Sequence, residues 1–235
     1  MFQKFLELMK KRKEGGKRVP LHVGLTLNGT EAWCEKNGKA LDIGYEKSVK
    51  VLNEIINEQI SHNVRILSVY LLPQFMSKPD ILLSYLVKFL KGLKESEIIQ
   101  NNQVKVSIIG KWYNLPSGLI EEVKELISDT KDYDRFFLNL CLNYNGQEEI
   151  VDACKLIAKK VQADKLDPET ITAATIKDNI YTSYFMPPDI IIKTGLKKQL
   201  FGFLLWDSVK AEVRFANKLF PDYSKDDFVK DIRSF

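Results

Sequence analysis

The 235-residue chain has little of what marks a metal or redox protein. It has three cysteines, Cys34, Cys141 and Cys154, and two histidines, His22 and His62. The cysteines are odd in number and far apart, and no CxxC pair occurs. That argues against a zinc site or a disulfide framework and fits a reducing, cytoplasmic compartment. No apolar run approaches the ~20 residues of a membrane span, and the start of the chain does not read as a secretory leader. Net charge is also scarce: 35 Lys and Arg stand against 31 Asp and Glu, leaving +4. Such a surplus does not point to nucleic acid. Internal repeats, low-complexity tracts and long linkers are missing, so the chain reads as one domain.

What is present is the mix of a soluble globular protein, 45% hydrophobic and 28% charged. A single α/β domain reaches this length. The charge is unevenly spread. Residues 1–20 hold seven cations, Lys4, Lys10, Lys11, Arg12, Lys13, Lys17 and Arg18, against Glu7 and Glu14. That is a surplus of five, which leaves −1 for the other 215 residues. Phe2, Phe5, Leu6 and Met9 recur at helical spacing beside these cations. The pattern predicts a basic amphipathic helix over 1–19, followed by the domain proper over 20–235. Two readings of that helix stay open: peripheral contact with an anionic membrane face, or packing on the domain with its lysines solvated.

From residue 20 on, strand and helix alternate. Strands are predicted at 21–27, 64–72, 104–110, 136–143, 189–192 and 212–215, and helices at 44–62, 81–94, 116–128 and 148–163. Asp167-Pro168-Glu169 reads as a further helix start. This order predicts a mostly parallel sheet wrapped by helices. The stretch 81–94 is apolar around most of its circumference, which suits a buried helix or one lining an apolar cavity, with Leu83 and Leu86 among its candidates. In an open parallel sheet, ligands sit beyond the carboxyl ends of the strands. Those loops hold Asn28-Gly29-Thr30, Leu72-Pro73-Gln74, Gly110-Lys111-Trp112, Asn143-Tyr144-Asn145-Gly146 and Lys193-Thr194-Gly195.

Four motifs, in order, resemble those of the cis-prenyltransferases of the undecaprenyl diphosphate synthase type. His22-Val23-Gly24-Leu25-Thr26-Leu27-Asn28-Gly29-Thr30-Glu31-Ala32-Trp33 is similar to the family's opening motif. Ile108-Ile109-Gly110 and Asn143-Tyr144-Asn145-Gly146 resemble two internal ones. Pro188-Asp189-Ile190-Ile191-Ile192-Lys193-Thr194-Gly195, followed by Phe203-Leu204-Leu205-Trp206 and Ala211-Glu212, resembles the closing one. The resemblance implies a single α/β domain with an apolar tunnel. It also implies elongation of an allylic diphosphate with isopentenyl diphosphate, and magnesium as cofactor.

The departures fall on the charged residues. The family aspartate that holds Mg²⁺ is Asn28 here, and the downstream Asn and Arg are Thr30 and Ala32. An arginine and a histidine at the next helix correspond to Leu41 and Tyr45. In the closing motif two arginines become Lys193 and Gln199, and a serine becomes Phe201. Glu212 remains of the acidic ligands. Lysine keeps a charge but loses the bidentate fork. This pattern resembles the accessory subunits of heteromeric cis-prenyltransferases, the Nogo-B receptor type, in His22-Val23-Gly24-Leu25, in Asp189 to Gly195 and in Gly202-Phe203-Leu204-Leu205-Trp206. The implied partner is a catalytic homologue, or a second copy in a homodimer, with Mg²⁺ held mainly by that partner. The interface would use Phe203, Trp206 and Phe215. Accessory subunits carry an R-x-G tail that enters the partner's site; here the sequence runs to Ile232-Arg233-Ser234-Phe235, which leaves a tail beyond these residues or support by packing.

Several residues keep two readings. Asn28, with Gly29, Thr30 and Trp33, forms a degenerate active site or a tight turn. Glu212 is a weak metal ligand or an interface carboxylate. Lys193 with Lys197 and Lys198 forms a reduced anion site or a solvated cluster, and Gln199 and Tyr45 are further substrate-binding candidates. His22 is a structural strand residue, because no acid or nucleophile pairs with it, and Cys34 is open to exposure. Three functions follow: an accessory subunit of a polyprenyl diphosphate synthase, an active prenyltransferase with altered chemistry on allylic diphosphates, or a binder of uncharged isoprenoids.

Overall fold

Six runs rich in Val, Ile and Leu lie side by side as parallel strands in the computed structural model: β1 (His22–Thr26), β2 (Ile66–Pro73), β3 (Val104–Ile109), β4 (Phe136–Tyr144), β5 (Ile190–Lys193) and β6 (Glu212–Phe215). Their order across the sheet is β3-β4-β2-β1-β5-β6. The structure describes residues 13–14, 17–77 and 79–235, with side chains from residue 19 onward. Central strands of a parallel sheet are covered on both faces, so they read as continuous apolar runs. β1 and β5 are buried at every position. The edge strand β6 is partly exposed throughout.

Helices α1 (Thr30–Asn37), α2 (Leu41–Ser61), α3 (Asp80–Lys94), α4 (Glu97–Asn101), α5 (Ser117–Thr130), α6 (Gly146–Gln162), α7 (Ala173–Lys177) and α8 (Lys225–Arg233) connect and cover the sheet. The larger core lies under α2, α3, α5 and α8 and includes Leu52, Ile55, Leu86, Leu90, Val123 and Phe228. On the opposite face a smaller core gathers Tyr70, Ile109, Tyr144, Ile191 and Phe203. The single α/β domain with a parallel sheet is therefore as the sequence predicts.

Boundaries agree within a few residues, and the differences have local causes. The short helices α1, α4 and α8 are not in the sequence reading. Asp167 does accept a hydrogen bond from the Glu169 N–H, but only a 3-10 turn follows, over Pro168–Thr170. Thr172 then starts α7 with a reciprocal capping box to Thr175. The expected helix over 1–19 lies mostly outside the described residues; within its end, Lys13–Glu14 and Lys17–Arg18 pair as short antiparallel strands.

Two buried polar networks fix the smaller face. His22 Nδ1 donates to the Met186 carbonyl at 2.5 Å, and Nε2 accepts from Ser68 Oγ at 2.7 Å. Ser68 in turn accepts from Asn139 Nδ2 at 3.0 Å. Burial drops the His22 pKa to about 4, so the ring is neutral near pH 7. A structural histidine is what this geometry describes. Further along, Lys177 Nζ donates to both carboxylate oxygens of Asp207 at 2.8 Å, and Thr182 Oγ1 donates to Asp207 at 2.6 Å. The Thr182 N–H reaches Glu149, which also accepts from the Tyr144 hydroxyl at 2.5 Å. Together they anchor the segment after β5 to α6.

Helix α8 closes the larger core with Phe228 and Ile232 and starts with a capping box between Ser224 and Asp227. Ser224→Ala is expected to lower stability by about 1 kcal/mol, the usual worth of such a cap. Urea unfolding followed by circular dichroism measures it; a change below ~0.3 kcal/mol would show that the cap is redundant.

Candidate active site

The carboxyl ends of β1 and β2, with α2 and α3, line one cavity of about 120 Å³. Most of its lining is apolar, with Leu27, Val49, Leu52, Leu71, Leu82 and Phe89 among the residues. Its polar lining comprises the partly exposed Asn28 and Glu31, at its mouth, and the buried Thr30, Tyr45 and Ser48. Gly29 makes the turn from β1 into α1 at φ 108°, a left-handed backbone that favours glycine. A Cβ there would also stand 2.5 Å from Leu219 Cδ2.

Asn28 is tied down by its backbone. Its N–H donates to Thr194 Oγ1 at 3.0 Å, and its carbonyl accepts from the Phe220 N–H at 3.0 Å. Its side-chain amide has no hydrogen bond among the described residues, and it lines the cavity. Thr30 Oγ1 meets Ser48 Oγ at 2.9 Å, and Ser48 donates to the Gly44 carbonyl at 2.9 Å. The Tyr45 hydroxyl donates to Glu31 Oε1 at 2.6 Å. Burial, then the hydrogen bond to Glu31, pushes the Tyr45 hydroxyl well above its usual pKa, so it stays a donor. Tyr45 also contacts Tyr85 on α3, ring centroids 6.0 Å apart.

The closing loop is arranged differently from the expected anion site. Lys193, the last residue of β5, is 0% exposed. Its Nζ donates to the Thr194 carbonyl and lies 5.6 Å from the centre of the Phe201 ring. Burial lowers its pKa to about 8. The solvated-lysine reading is thus wrong for Lys193. Lys197 and Gln199 are exposed and away from the cavity wall, so the structure does not gather Lys193, Lys197, Gln199 and Tyr45 around one point.

Other candidates sort by position. Leu86 lines the cavity while Leu83 does not; Leu82, Tyr85 and Phe89 share its face at helical spacing. Trp33 is buried and donates from Nε1 to Asp222 at 2.7 Å, with Lys47 4.4 Å over its ring. Cys34 is buried rather than exposed, because α2 packs on it at Gly44. Phe203 is 0% exposed and stacked on Tyr70 at 4.9 Å, which removes it from any interface and places it in the core. Trp206 and Phe215 are half-buried. Beside Trp206, Leu205 is 40% and Val209 83% exposed. Sequence reasoning missed Glu31 and Ser48 at the cavity; for 81–94 it left the lining face open, and the i, i+3, i+4, i+7 spacing of 82, 85, 86 and 89 was the available signal.

Glu212 opens β6, pairs with Ile190, and through it lies level with Val23. Asn28 is five residues further along the strand direction, about 16 Å at ~3.3 Å per residue. The two therefore cannot hold one ion within a chain. Glu212 instead accepts from Arg214 Nε at 2.7 Å. Magnesium prefers several carboxylate, phosphate or water oxygens in an octahedron. A neutral amide, a hydroxyl and a carboxylate already bonded to Tyr45 fit it poorly. No group of three His, Cys, Asp or Glu side chains suited to a metal exists among the described residues.

The family model described as "Putative undecaprenyl diphosphate synthase" matches residues 26–235. The chain belongs to the cis-prenyltransferase family. It is 31% identical over 220 residues to an isoprenyl transferase of Prochlorococcus marinus, covering 92% of this chain and 80% of that protein. It is also 31% identical to a geranylgeranyl-diphosphate-specific tritrans,polycis-undecaprenyl-diphosphate synthase of Methanopyrus kandleri, covering 100% of this chain and 87% of that one. A crystal structure of lavandulyl diphosphate synthase from Lavandula x intermedia, in complex with dimethylallyl diphosphate, superimposes with a TM-score of 0.87 at 26% identity, covering 92% of this chain and 94% of that one. No described helix of this cis-prenyltransferase homologue is long and apolar enough to cross a membrane.

Proposed function

We propose that the chain is the accessory, weakly catalytic subunit of a heteromeric cis-prenyltransferase of the Nogo-B receptor type, making long-chain polyprenyl diphosphate from isopentenyl diphosphate and an allylic diphosphate. The observation that carries this reading is the end of β1. A neutral amide, Asn28, stands at the cavity mouth, and Glu212 lies about 16 Å away along the strands. The pair of carboxylates that a magnesium-assisted departure of diphosphate needs is missing from one chain. In this reading a catalytic homologue supplies the magnesium site. The exposed Leu205 and Val209, with Trp206 and the open edge of β6, form the face that meets it. The basic N-terminal stretch gives peripheral contact with the cytoplasmic face of a membrane.

Coexpression with a catalytic homologue from the same cell is the test. Polyprenyl diphosphate synthesis is expected from the pair at a rate about tenfold or more above either chain alone, the difference of a missing transition-state contact. Full elongation activity from this chain by itself would overturn the reading.

One observation favours a second reading. The likeness to lavandulyl diphosphate synthase, a structure with dimethylallyl diphosphate bound, is close in fold and above a quarter in identity. An enzyme of altered chemistry on short allylic diphosphates is the corresponding function. Product analysis after incubating the chain alone with dimethylallyl diphosphate and Mg²⁺ separates the two.

A further inference from the structure

We infer that the cavity of this chain binds an uncharged isoprenoid alcohol through its hydroxyl and disfavours an isoprenoid diphosphate. The inference rests on the reading above that this chain supplies no diphosphate site, and it names what the cavity takes instead.

The mouth is rich in acceptors and poor in accessible cations. Glu31 is half-buried; one oxygen accepts from Tyr45, and no cation pairs with it among the described residues. Ser48 gives its proton to the Gly44 carbonyl, so Thr30 gives its own to Ser48, and Thr30 Oγ1 keeps its lone pairs. Asn28 adds an unengaged amide oxygen and amide nitrogen. A hydroxyl, which both donates and accepts, satisfies this set; a diphosphate, which only accepts, leaves Glu31 and Thr30 opposed to its oxygens.

Two features that favour an anion are neutralised. The N–H groups at the start of α1 would attract one, but Glu31 already places a carboxylate in that first turn. Lys193 lies close by, since a Cβ on Gly195 would sit 2.9 Å from Asn28 Cβ and 3.4 Å from Lys193 Nζ. Its ammonium is nevertheless sealed from solvent, bonded to the Thr194 carbonyl and covered by Phe201. The carboxylate facing the mouth is thus not offset by an exposed positive charge at the cavity wall.

The interior sets the rest of the ligand. An apolar cavity of ~150 Å³ takes a benzene, so 120 Å³ holds roughly one five-carbon isoprene unit without rearrangement. A second unit extends beyond that volume.

Calorimetry on the full chain, with geraniol and with geranyl diphosphate in Mg²⁺ as separate probes, tests this. Geraniol is expected to bind about tenfold or more tightly than geranyl diphosphate, because a like charge at close range opposes the latter. Glu31→Gln keeps the acceptor but removes the charge; geranyl diphosphate should gain about tenfold, and geraniol should change about twofold or less. Leu86→Phe fills the cavity and should abolish geraniol binding. Equal affinity for the two probes in the unaltered chain, or geraniol bound undiminished by Leu86→Phe, would overturn the inference. Geranyl diphosphate bound at least as tightly as geraniol, without turnover, sinks this inference alone. Elongation of geranyl diphosphate with isopentenyl diphosphate by the unpaired chain sinks the proposed function, whichever probe binds better.

Discussion

Phe203→Ala is expected to destabilise the chain by about 4 kcal/mol, within the range for truncating a large aromatic in a packed core. Phe203 is fully buried and stacks on Tyr70 with the rings 11° from parallel. It also presses on β1: a Cβ at Gly24 would stand 3.0 Å from its Cε1. The aromatic pair adds to the area lost, and little nearby is free to collapse into the gap. For a chain of this size the expected fall in Tm is roughly 10 °C. The change should not depend on protein concentration, since the contact is internal. Trp206→Ala, three residues on and half-buried, is expected to cost about 1 kcal/mol of stability, as surface changes do. Thermal unfolding at two protein concentrations reads both. A Phe203→Ala variant within ~1 kcal/mol of the parent would return that residue to the surface.

The same segment illustrates what sequence patterns carry and where they stop. β1, β2, β4 and β5 were legible because central parallel strands are uniformly apolar, and the burial of β1 and β5 at every position follows from that. Patterns of this kind assume regular backbone. Between 199 and 206 the backbone is irregular: Phe201, Gly202 and Leu204 all have φ between +46° and +76°. Neighbouring side chains are thereby turned in directions that neither a period of 2 nor one of 3.6 anticipates. Phe203 goes inward, Leu205 outward, and Phe201 folds over Lys193. The mouth of the cavity escaped for another reason. Glu31 and Tyr45 meet only because α1 packs on α2, where Gly44 admits Cys34; a Cβ at Gly44 would stand 2.2 Å from its Sγ. A contact across two helices has no signature along the chain. How far Glu212 lies from Asn28 along the strands was not legible either, because register is a property of paired strands.

Lys193→Met is expected to stabilise the chain, by about 3 kcal/mol at pH 7. Lys193 is wholly buried, its ammonium bonded to a backbone carbonyl and facing an aromatic ring, and no carboxylate pairs with it among the described residues. Burial drops its pKa from 10.5 to about 8. At ~1.4 kcal/mol per pKa unit, the charged form is disfavoured by about 3 kcal/mol relative to the unfolded chain. The lowered pKa belongs to a base, so between about 8 and 10.5 the unfolded chain binds more protons than the folded one, and stability rises with pH. Below about 8 both states are protonated and the penalty is fully present. Methionine fills a similar volume without the charge, and replacing a buried ion by a packed apolar side chain is commonly stabilising. Two readouts follow. Urea midpoints at pH 7 should favour the variant. The parent's stability should climb from pH 8 toward pH 10, and the variant should lack that share of the rise, so the gap between them should narrow by about 3 kcal/mol at most. A variant less stable than the parent at pH 7, with an undiminished pH slope, would mean that the ammonium is satisfied where it lies. The retained cation would then be part of a working anion site, and Phe201 a movable cover over it.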